Sequence, residues 1–322
     1  MSWREEERLT AGRVLCVLGK DVLVETDGCL RRATPAGRLK IRGTREMPVA
    51  GDLVRLLTAA QGRAAIVGIE PRTTVFTRAG YHGRILPVVA NVELLVVVIS
   101  TSAPPPSLAA LDRFLVLGEM GRVRCAVCLN KTDLADPGPP ELDAYAVIGY
   151  PVVRTSALTG EGLDDLRGLL KGRISAFVGP SGTGKSSLVN AIVGSHAQEV
   201  RTVSAKIGRG RHTTTQSRLL PLEEGSFLAD TPGLSWLGMP PTDRRDLATL
   251  FPELRSLQER CRFSDCSHLS EPGCAAKAAV DAGVIASHRY ASFVMLSGES
   301  GPQRGKFEAR STKSETGPRG ES

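Results

Sequence analysis

Two hydrophobic patterns divide the chain, and the first covers roughly the first 75 residues. Short runs of β-type residues follow one another closely there, separated by Gly and Pro, and no long helical period appears. The runs are Arg13–Leu18, Asp21–Glu25, Leu53–Leu57 and Ala64–Ile69. Short strands at this spacing predict a small β-barrel, and the oligonucleotide-binding (OB) barrel is the commonest barrel of that size.

From Val92 onward, long apolar segments alternate with helical stretches. This pattern is typical of a parallel sheet with crossover helices. The predicted strands are Val92–Ile99, Val123–Leu129, Val152–Arg154, Ile174–Val178 and Ser226–Ala229, and the predicted helices are Leu108–Glu119, Leu163–Leu170 and Ser187–Val193. In sheets of this class ligands bind at the carboxyl ends of the strands, so we expect the functional residues at those ends.

The segment that follows the predicted strand Ile174–Val178 reads Gly-Pro-Ser-Gly-Thr-Gly-Lys-Ser and leads into a helix. Backbone N–H groups of such a loop converge on phosphates, and the helix N-terminus adds a favourable dipole. We expect Lys185 to neutralise the β- and γ-phosphates of a nucleotide and Ser186 Oγ to ligate Mg²⁺. The predicted phosphate-binding residues are Gly179, Pro180, Ser181, Gly182, Thr183, Gly184, Lys185, Ser186 and Ser187.

Two further motifs, Asn-Lys-Thr-Asp and Ser-Ala-Leu, are those that read guanine in GTP-binding proteins. Their predicted base-binding residues are Asn130, Lys131, Thr132, Asp133, Ser156 and Ala157. The Asp133 carboxylate can accept hydrogen bonds from N1–H and from the exocyclic amine of guanine, a pairing that adenine cannot offer. We expect Lys131 to lie along the base, Asn130 to brace the loop and the Ala157 N–H to meet guanine O6. Because an unpaired buried acid rejects adenine by on the order of 10⁴-fold, the sequence predicts GTP rather than ATP.

The hydrolytic residues are predicted in two segments that follow the phosphate loop. Asp230 opens an Asp-Thr-Pro-Gly motif; its carboxylate is expected near Mg²⁺, and the N–H of Gly233 is expected to sense the γ-phosphate. Thr215, the last of three consecutive threonines, is expected to complete the Mg²⁺ shell. Ras-type proteins orient the attacking water with a glutamine just after the Asp-containing motif, whereas a hydrophobic residue follows it here. We therefore predict slow intrinsic turnover, with Lys185, Thr215 and His212 as catalytic candidates; His212 could equally be a solvated loop residue.

Near the C-terminal end lie three cysteines and one histidine: Cys261, Cys266, His268 and Cys274. Three thiols and one imidazole specify tetrahedral Zn²⁺ and leave no open position, so the predicted zinc site is structural. The remaining cysteines are interpreted as core residues: Cys16, Cys29, Cys125 and Cys128. The last two also form a Cys-x-x-Cys pair, for which a redox or metal role is the alternative. His288 is interpreted as a surface helix residue.

The 322 residues carry a formal net charge of +7 with a pI near 9.2, and aromatic residues make up only 4% of them. The basic excess suggests a polyanionic partner, and the scarcity of aromatics favours contacts with a nucleic-acid backbone over stacking on bases. Six basic residues and no acid lie between Arg31 and Arg45, which fits either a solvated loop or a nucleic-acid contact. No apolar run reaches the roughly 18 residues of a membrane helix, and the polar N-terminus does not resemble a secretory signal. We expect a cytoplasmic monomer without a membrane partner.

The order of the motifs is the most informative feature of the chain. The guanine-reading motifs at residues 130–133 and 156–158 precede the phosphate loop, whereas in GTP-binding domains they usually follow it. Five signatures in suitable local contexts therefore predict a circularly permuted GTPase. The predicted architecture is multidomain: an OB-type β-barrel over residues 1–75, a circularly permuted α/β P-loop GTPase domain over 76–238, an α-helical zinc-binding domain over 239–296 and a disordered tail over 297–322.

Together, from about residue 10 to residue 295, these motifs resemble those of the circularly permuted ribosome-small-subunit-dependent GTPase A (RsgA) family. The resemblance implies docking on the small ribosomal subunit and its rRNA, with GTP hydrolysis stimulated by the subunit and coupled to release during late maturation. It also implies one structural Zn²⁺, and Mg²⁺ with GTP or GDP. Because the water-orienting glutamine is missing, a GTP-gated RNA-binding module with negligible turnover is one alternative. A GTPase that acts on a protein or membrane partner is another.

Overall fold

The structure, a computed structural model, describes residues 8–36, 40–41, 44–45, 47–58, 64–79, 85–102, 104–134, 137–193, 202, 217–223, 225–230 and 244–299. Within these ranges no helix combines the length and the apolar composition needed to span a membrane.

The N-terminal strands close into a barrel. In chain order they are β1 Arg8–Leu18, β2 Asp21–Thr26, β3 Cys29–Pro35, β4 Lys40–Ile41, β5 Thr44–Arg45, β6 Leu53–Thr58 and β7 Ala64–Ile69. β1 pairs antiparallel with both β2 and β6, and β3 pairs parallel with β7, so five of the strands form a closed circle. β4 and β5 form a separate two-stranded ribbon. Side chains such as Val14, Val24, Leu56 and Ile66 fill the interior, which confirms the predicted barrel.

β3 is the barrel strand that the hydrophobic pattern does not reveal. It carries Arg31 and Arg32 and places only Ala33 fully inside the barrel. The first two arginines of the basic segment therefore lie on a strand, and Arg32 Nε donates to Asp21 Oδ2 of β2 at 2.8 Å. Cys29, interpreted as a core residue, is exposed, because it directly follows the turn that joins β2 to β3. That interpretation was wrong.

A second group of strands forms the central sheet. A hairpin of β8 Val75–Ala79 and β9 Ile85–Ala90 leads to it from the barrel. The strands are β10 Leu94–Ser100, β11 Arg124–Asn130, β12 Val152–Thr155, β13 Ile174–Val178, β14 Arg218–Pro221 and β15 Phe227–Asp230. Their order is β12-β11-β10-β13-β15-β14; the first five are parallel, and β14 is antiparallel to β15. The predicted parallel sheet is confirmed, and pairing of Cys16 with Arg218 continues it into the barrel.

β10 shows why this sheet forms. All seven of its residues are buried, as expected for a parallel strand that is covered on both faces. Alternate residues face two apolar layers. The helices of one layer are α1 Leu108–Met120 and α2 Leu142–Ile148, and those of the other are α3 Leu163–Leu170 and α4 Lys185–Ile192.

Residues 244–299 form the C-terminal unit, with α5 Arg244–Thr249, α6 Pro252–Arg255, α7 Ala275–Asp281 and α8 Ser287–Glu299. Its core includes Phe251 and Phe293, and Val116 of α1 packs into the same core. α8 extends through residue 299, past the predicted start of the tail at residue 297, and the buried Ser297 Oγ donates to Phe293 O at 2.8 Å within it. Assigning residues 297–299 to the tail was therefore wrong. Residues 300–322 lie outside the described residues.

Candidate nucleotide and metal sites

The described residues of four predicted nucleotide motifs meet at one edge of the central sheet. β10, β11, β12, β13 and β15 are parallel, so their carboxyl ends share that edge. Asn130 ends β11, Thr155 ends β12 and Asp230 ends β15, while the phosphate loop follows β13. The permuted chain order does not disturb this arrangement, because only the connections between strands differ.

The Asn130 side chain joins the guanine motifs to the phosphate loop. Its Nδ2 donates to Thr183 O at 3.0 Å, and its Oδ1 accepts from the Ala157 N–H and from Thr155 Oγ1, each at 3.2 Å. The bracing that we expected of Asn130 is thus present. The Ala157 N–H, expected to meet guanine O6, is directed at Asn130 instead, so its role toward the base stays a prediction.

Asp133 is held beside the second guanine motif by a hydroxyl group. Ser156 Oγ donates to Asp133 Oδ1 at 2.6 Å and accepts from the N–H groups of Leu158 and Thr159 at 3.2 and 3.1 Å. The Asp133 side chain is exposed, so its carboxylate remains accessible to a ligand. Lys131 has a left-handed backbone, φ 69°, which turns the chain between Asn130 and Asp133.

The phosphate loop is closely packed against Asn130. Gly184 has φ +90°, and a Cβ at this position would lie 2.2 Å from Asn130 Nδ2, so a side chain cannot be accommodated. Lys185 Nζ donates to Gly179 O at 2.7 Å and to Pro180 O at 2.5 Å, so the ammonium group lies over the loop. Burial lowers its pKa. This loop places backbone N–H groups and one cation where an anionic ligand can bind.

Several predicted site residues fall outside the described part of the chain. They are His212, Thr215 and Gly233, the residues assigned to hydrolysis and γ-phosphate sensing. Their roles rest on the sequence alone. Asp230 is described at the end of β15.

The four C-terminal Cys and His residues come together as predicted. The ligand atoms of Cys261, Cys266, His268 and Cys274 all lie within 4.8 Å of one another. His268 Nδ1 is 3.5 Å from both Cys261 Sγ and Cys274 Sγ. Bonds of about 2.0–2.3 Å to one tetrahedral ion would place ligand atoms roughly 3.3–3.8 Å apart. The two 3.5 Å contacts of His268 Nδ1 fit that range. The residues present can therefore hold one metal ion.

Known proteins are similar to this chain along most of its length. A family model described as RsgA GTPase matches residues 69–240. The chain is 41% identical to the small ribosomal subunit biogenesis GTPase RsgA of Moorella thermoacetica over 291 residues, which cover 89% of this chain and 96% of that protein. The chain belongs to the RsgA GTPase family.

Another relative and two solved structures are also similar to most of the chain. The Pseudomonas aeruginosa protein of the same name is 38% identical over 88% of this chain and 83% of its own length. Among solved structures, YjeQ from Thermotoga maritima matches with a TM-score of 0.75 and 32% identity over 92% of this chain and all of its own. YloQ, described as a circularly permuted GTPase, matches with a TM-score of 0.73 and 28% identity over 93% and 97%. As a member of the RsgA family, the chain is a GTPase with permuted motifs.

Two cysteines of β11 and one histidine of α8 are also described by the structure. Cys125 and Cys128 are buried in β11, and burial raises the pKa of the Cys128 thiol to about 12 and that of Cys125 still further. Both remain thiols at neutral pH, so the buried-strand interpretation is confirmed. For His288 the surface interpretation was wrong: its Nε2 is buried and its ring lies 5.6 Å from the Tyr145 ring, because α8 packs against the GTPase core.

Four residues near these sites were missed by the sequence analysis. Thr155 orients Asn130, and Thr101 Oγ1 donates to Lys131 O at 3.0 Å. Thr132 Oγ1 donates to Glu161 Oε2 at 3.1 Å, and Glu161 O accepts from the Ser156 N–H at 3.0 Å. The fourth, Glu271, supports the metal cluster. No sequence motif marks any of them, because each acts through contacts that only the fold creates.

Glu271 organises the loop between two of the metal-cluster residues. Its carboxylate accepts from Ser267 N and Oγ at 2.8 and 2.6 Å and from the N–H groups of Leu269 and Ser270, both at 3.1 Å. These bonds, led by that from the Ser267 hydroxyl, lower the pKa of Glu271 to about 2. The residues that donate these bonds lie on both sides of His268 in the sequence. The bonds therefore hold the backbone around His268, which is left-handed with φ 61°.

We predict that Glu271→Gln will weaken metal binding by about 10–100-fold, the usual cost of losing a group that orients a ligand. An amide has one accepting oxygen in place of two, so part of the backbone around His268 loses its partner. Metal affinity measured by competition with a chromogenic chelator tests this. Glu259→Gln, an exposed acid of the same unit, is the control and should bind metal like the wild type. Equal affinities for the two variants would remove Glu271 from this role.

Proposed function

We propose that the chain is a GTP hydrolase that binds the small ribosomal subunit and its rRNA and assists late maturation of the subunit. Hydrolysis is stimulated by the subunit and coupled to release. The proposal that the chain binds GTP rests on the hydrogen bond from Asn130 to Thr183, which joins the guanine motifs to the phosphate loop. Relatives named small ribosomal subunit biogenesis GTPase, together with the barrel and the basic net charge, support the partner. The protein acts as a cytoplasmic monomer.

GTP and GDP are held by two groups of residues. Residues 179–187 hold the phosphates, with Lys185 moving from the loop carbonyls to the β- and γ-oxygens. Asp133 accepts from N1–H and the amine of guanine, while Ser156 keeps its carboxylate oriented. The short Ser156–Asp133 bond supports this assignment, because a preoriented carboxylate loses less conformational freedom on binding.

Hydrolysis needs the segments that follow the phosphate loop. Ser186, Thr215 and Asp230 would hold Mg²⁺ together with the nucleotide, and the ion would neutralise charge at the β- and γ-phosphates. Gly233 senses the γ-phosphate through its N–H. His212 orients the attacking water in place of the glutamine used by Ras-type proteins, and the small subunit completes the arrangement.

Zinc is the metal of the C-terminal cluster. Thiolate and imidazole donors select zinc over magnesium or calcium, and four protein donors leave no position for a substrate. The ion is therefore structural. The barrel over residues 1–75 precedes the GTPase domain over 76–238, and the zinc domain, which starts at residue 239 and includes the whole of α8, follows it. All three domains dock on the rRNA.

We predict that His212→Ala will slow subunit-stimulated GTP hydrolysis by about 10²–10⁴-fold, the range for loss of a group that handles a proton or water. GTP affinity should remain within about twofold of the wild type, since the base and the β-phosphate are bound elsewhere. Single-turnover hydrolysis and nucleotide titration measure the two quantities separately. Parallel loss of both would make His212 a structural residue.

GTP hydrolysis by the purified chain tests the proposal directly, alone and with small subunits, large subunits or free rRNA. Stimulation by small subunits only is the expected result. Binding of small subunits that requires GTP but proceeds without turnover would favour the alternative of a GTP-gated RNA-binding module. Affinity for the subunit should fall steeply with salt, because rRNA phosphates release counterions on binding. Affinity that is insensitive to salt would favour a protein partner.

A further inference from the structure

Arg289 of α8 is a fully buried cation at the contact between the C-terminal unit and the GTPase core. Its Nε and Nη2 donate to Glu253 Oε1 and Oε2 at 2.7 and 3.1 Å, within the C-terminal unit. Its Nη1 donates to Asp112 Oδ1 of α1 at 2.6 Å, and Asp112 is also fully buried. The guanidinium lies 4.7 Å from the Phe251 ring centre and 5.4 Å from that of Tyr145.

A buried ion pair of this kind is poor evidence for a purely stabilising role. The cost of desolvating two charges offsets most of their attraction. Apolar residues of equal volume at the same positions therefore often give a folded state that is at least as stable. The guanidinium instead provides a directional contact. Glu253 alone already supplies Arg289 with a bidentate partner, so Asp112 adds a specific attachment point on α1. The Tyr145 hydroxyl donates to the same Asp112 oxygen at 2.7 Å and fixes it within the core.

On its other side, α8 contacts the metal cluster. The hydroxyl of Tyr290, next to Arg289 in sequence, donates to His268 O at 2.7 Å. The Phe293 ring, one turn further, lies 6.4 Å from the His268 ring. The position of α8 therefore depends on a loop that a metal ion at His268 would hold in place.

The helix that carries Asp112, α1, starts beside the nucleotide site. The segment before it, called here the site loop, consists of residues 101, 102 and 104–107. Thr101 Oγ1 contacts Lys131 O, and Pro104 lies against the phosphate loop, where a Cβ on Gly182 would be 3.2 Å from Pro104 Cδ. Ser107 caps α1, and Asp112 lies four residues into the helix from Leu108, about 6 Å along its axis at 1.5 Å per residue.

We propose that metal-dependent docking of the C-terminal unit through Arg289 positions α1 and the site loop, and thereby sets the nucleotide affinity. The contacts run from His268 through Tyr290 and Arg289 to Asp112, and from there along α1 to Gly182. Coupling between two sites is reciprocal, so nucleotide binding also strengthens metal-dependent docking. Any partner that moves the C-terminal unit acts on the nucleotide through the same residues. The inference rests on the two proposed ligand sites but not on the ribosomal partner.

The test is GDP affinity of the full chain with and without metal. Metal content is measured first, and a chelator selective for zinc is then applied in excess Mg²⁺, so that the nucleotide keeps its own ion. Removal of metal should weaken GDP binding by about fivefold or more, the lower end of typical allosteric coupling. In Arg289→Met, GDP binding should already be weak, and the chelator should change it by less than about twofold.

Arg255→Met is the matched control. Arg255 Nη2 donates to Glu119 Oε2 at 2.9 Å, so this pair also joins the C-terminal unit to α1, but near the far end of the helix and exposed to solvent. This variant should keep both the wild-type affinity and its full dependence on metal. A GDP affinity in the wild type that does not change on metal removal would overturn the proposal, as would a full metal effect in Arg289→Met. Should Arg289→Met fail to fold, Asp112→Asn keeps the shape of the side chain and should lower the metal effect at least twofold; an undiminished effect would overturn the proposal.

Discussion

Replacing Asp133 with Asn will lower GDP affinity by roughly 10²–10⁴-fold. The carboxylate accepts two hydrogen bonds from guanine, each worth about 1.5–3 kcal/mol because the acceptor is charged, and each 1.4 kcal/mol corresponds to a tenfold change. In the variant the amide NH₂ group would face the guanine amine, donor against donor. The Ser156 hydroxyl can still donate to the remaining oxygen, so the loop geometry should persist.

The selectivity of the same variant provides a sharper test than the loss of affinity. Xanthine carries a carbonyl where guanine carries the exocyclic amine, so the Asn NH₂ group has an acceptor and the Asn oxygen still accepts from N1–H. Titration of both nucleotides should show xanthosine diphosphate binding Asp133→Asn more tightly than GDP does, with the reverse order in the wild type. Asp165→Asn, an exposed acid on α3, should bind as the wild type does. An unchanged preference for GDP in Asp133→Asn would remove Asp133 from the base site.

The parts of this fold that could be predicted are those in which the apolar or polar pattern of a segment matches its burial in the folded protein. β10 and β13 are apolar at nearly every position because both faces of the sheet are covered, and such runs are unmistakable. The phosphate loop and guanine motifs were identified for a different reason. Nucleotide chemistry demands particular residue types at fixed spacing, and this demand holds whatever order the motifs take along the chain.

The parts that could not be predicted depend on tertiary contacts. β3 carries two arginines and buries one alanine, so its pattern resembles a polar loop until β2 and β7 are placed beside it. β14 has four residues and ends in Pro221, too short for a periodic signal. Arg289 is an extreme case. Arginine is seldom fully buried, and only the convergence of two acids and several rings from distant segments makes its position acceptable.

Replacing Cys266 with Ser will abolish stoichiometric metal binding and unfold much of the C-terminal unit. Cys266 is 1% exposed and belongs to the core that includes Phe251 and Phe293. A serine hydroxyl does not ionise at neutral pH, so the site loses one of its three thiolate ligands and keeps two thiolates and the imidazole. Apparent binding energies of structural zinc sites reach about 10–16 kcal/mol, which is comparable with the whole stability of a domain.

Metal content per chain and hydrogen exchange together test this expectation. Elemental analysis should find one zinc in the wild type and less than a tenth of that in the variant. Amides of α7 and α8 should exchange much faster, while those of β10 and β11 stay protected, because the central sheet has its own two-sided core. Cys29→Ser, an exposed cysteine on the barrel, is the matched control and should keep metal and protection. Full zinc content in Cys266→Ser would show that the four residues do not share one ion; a different metal in the wild type would leave the site intact but overturn its assignment to zinc.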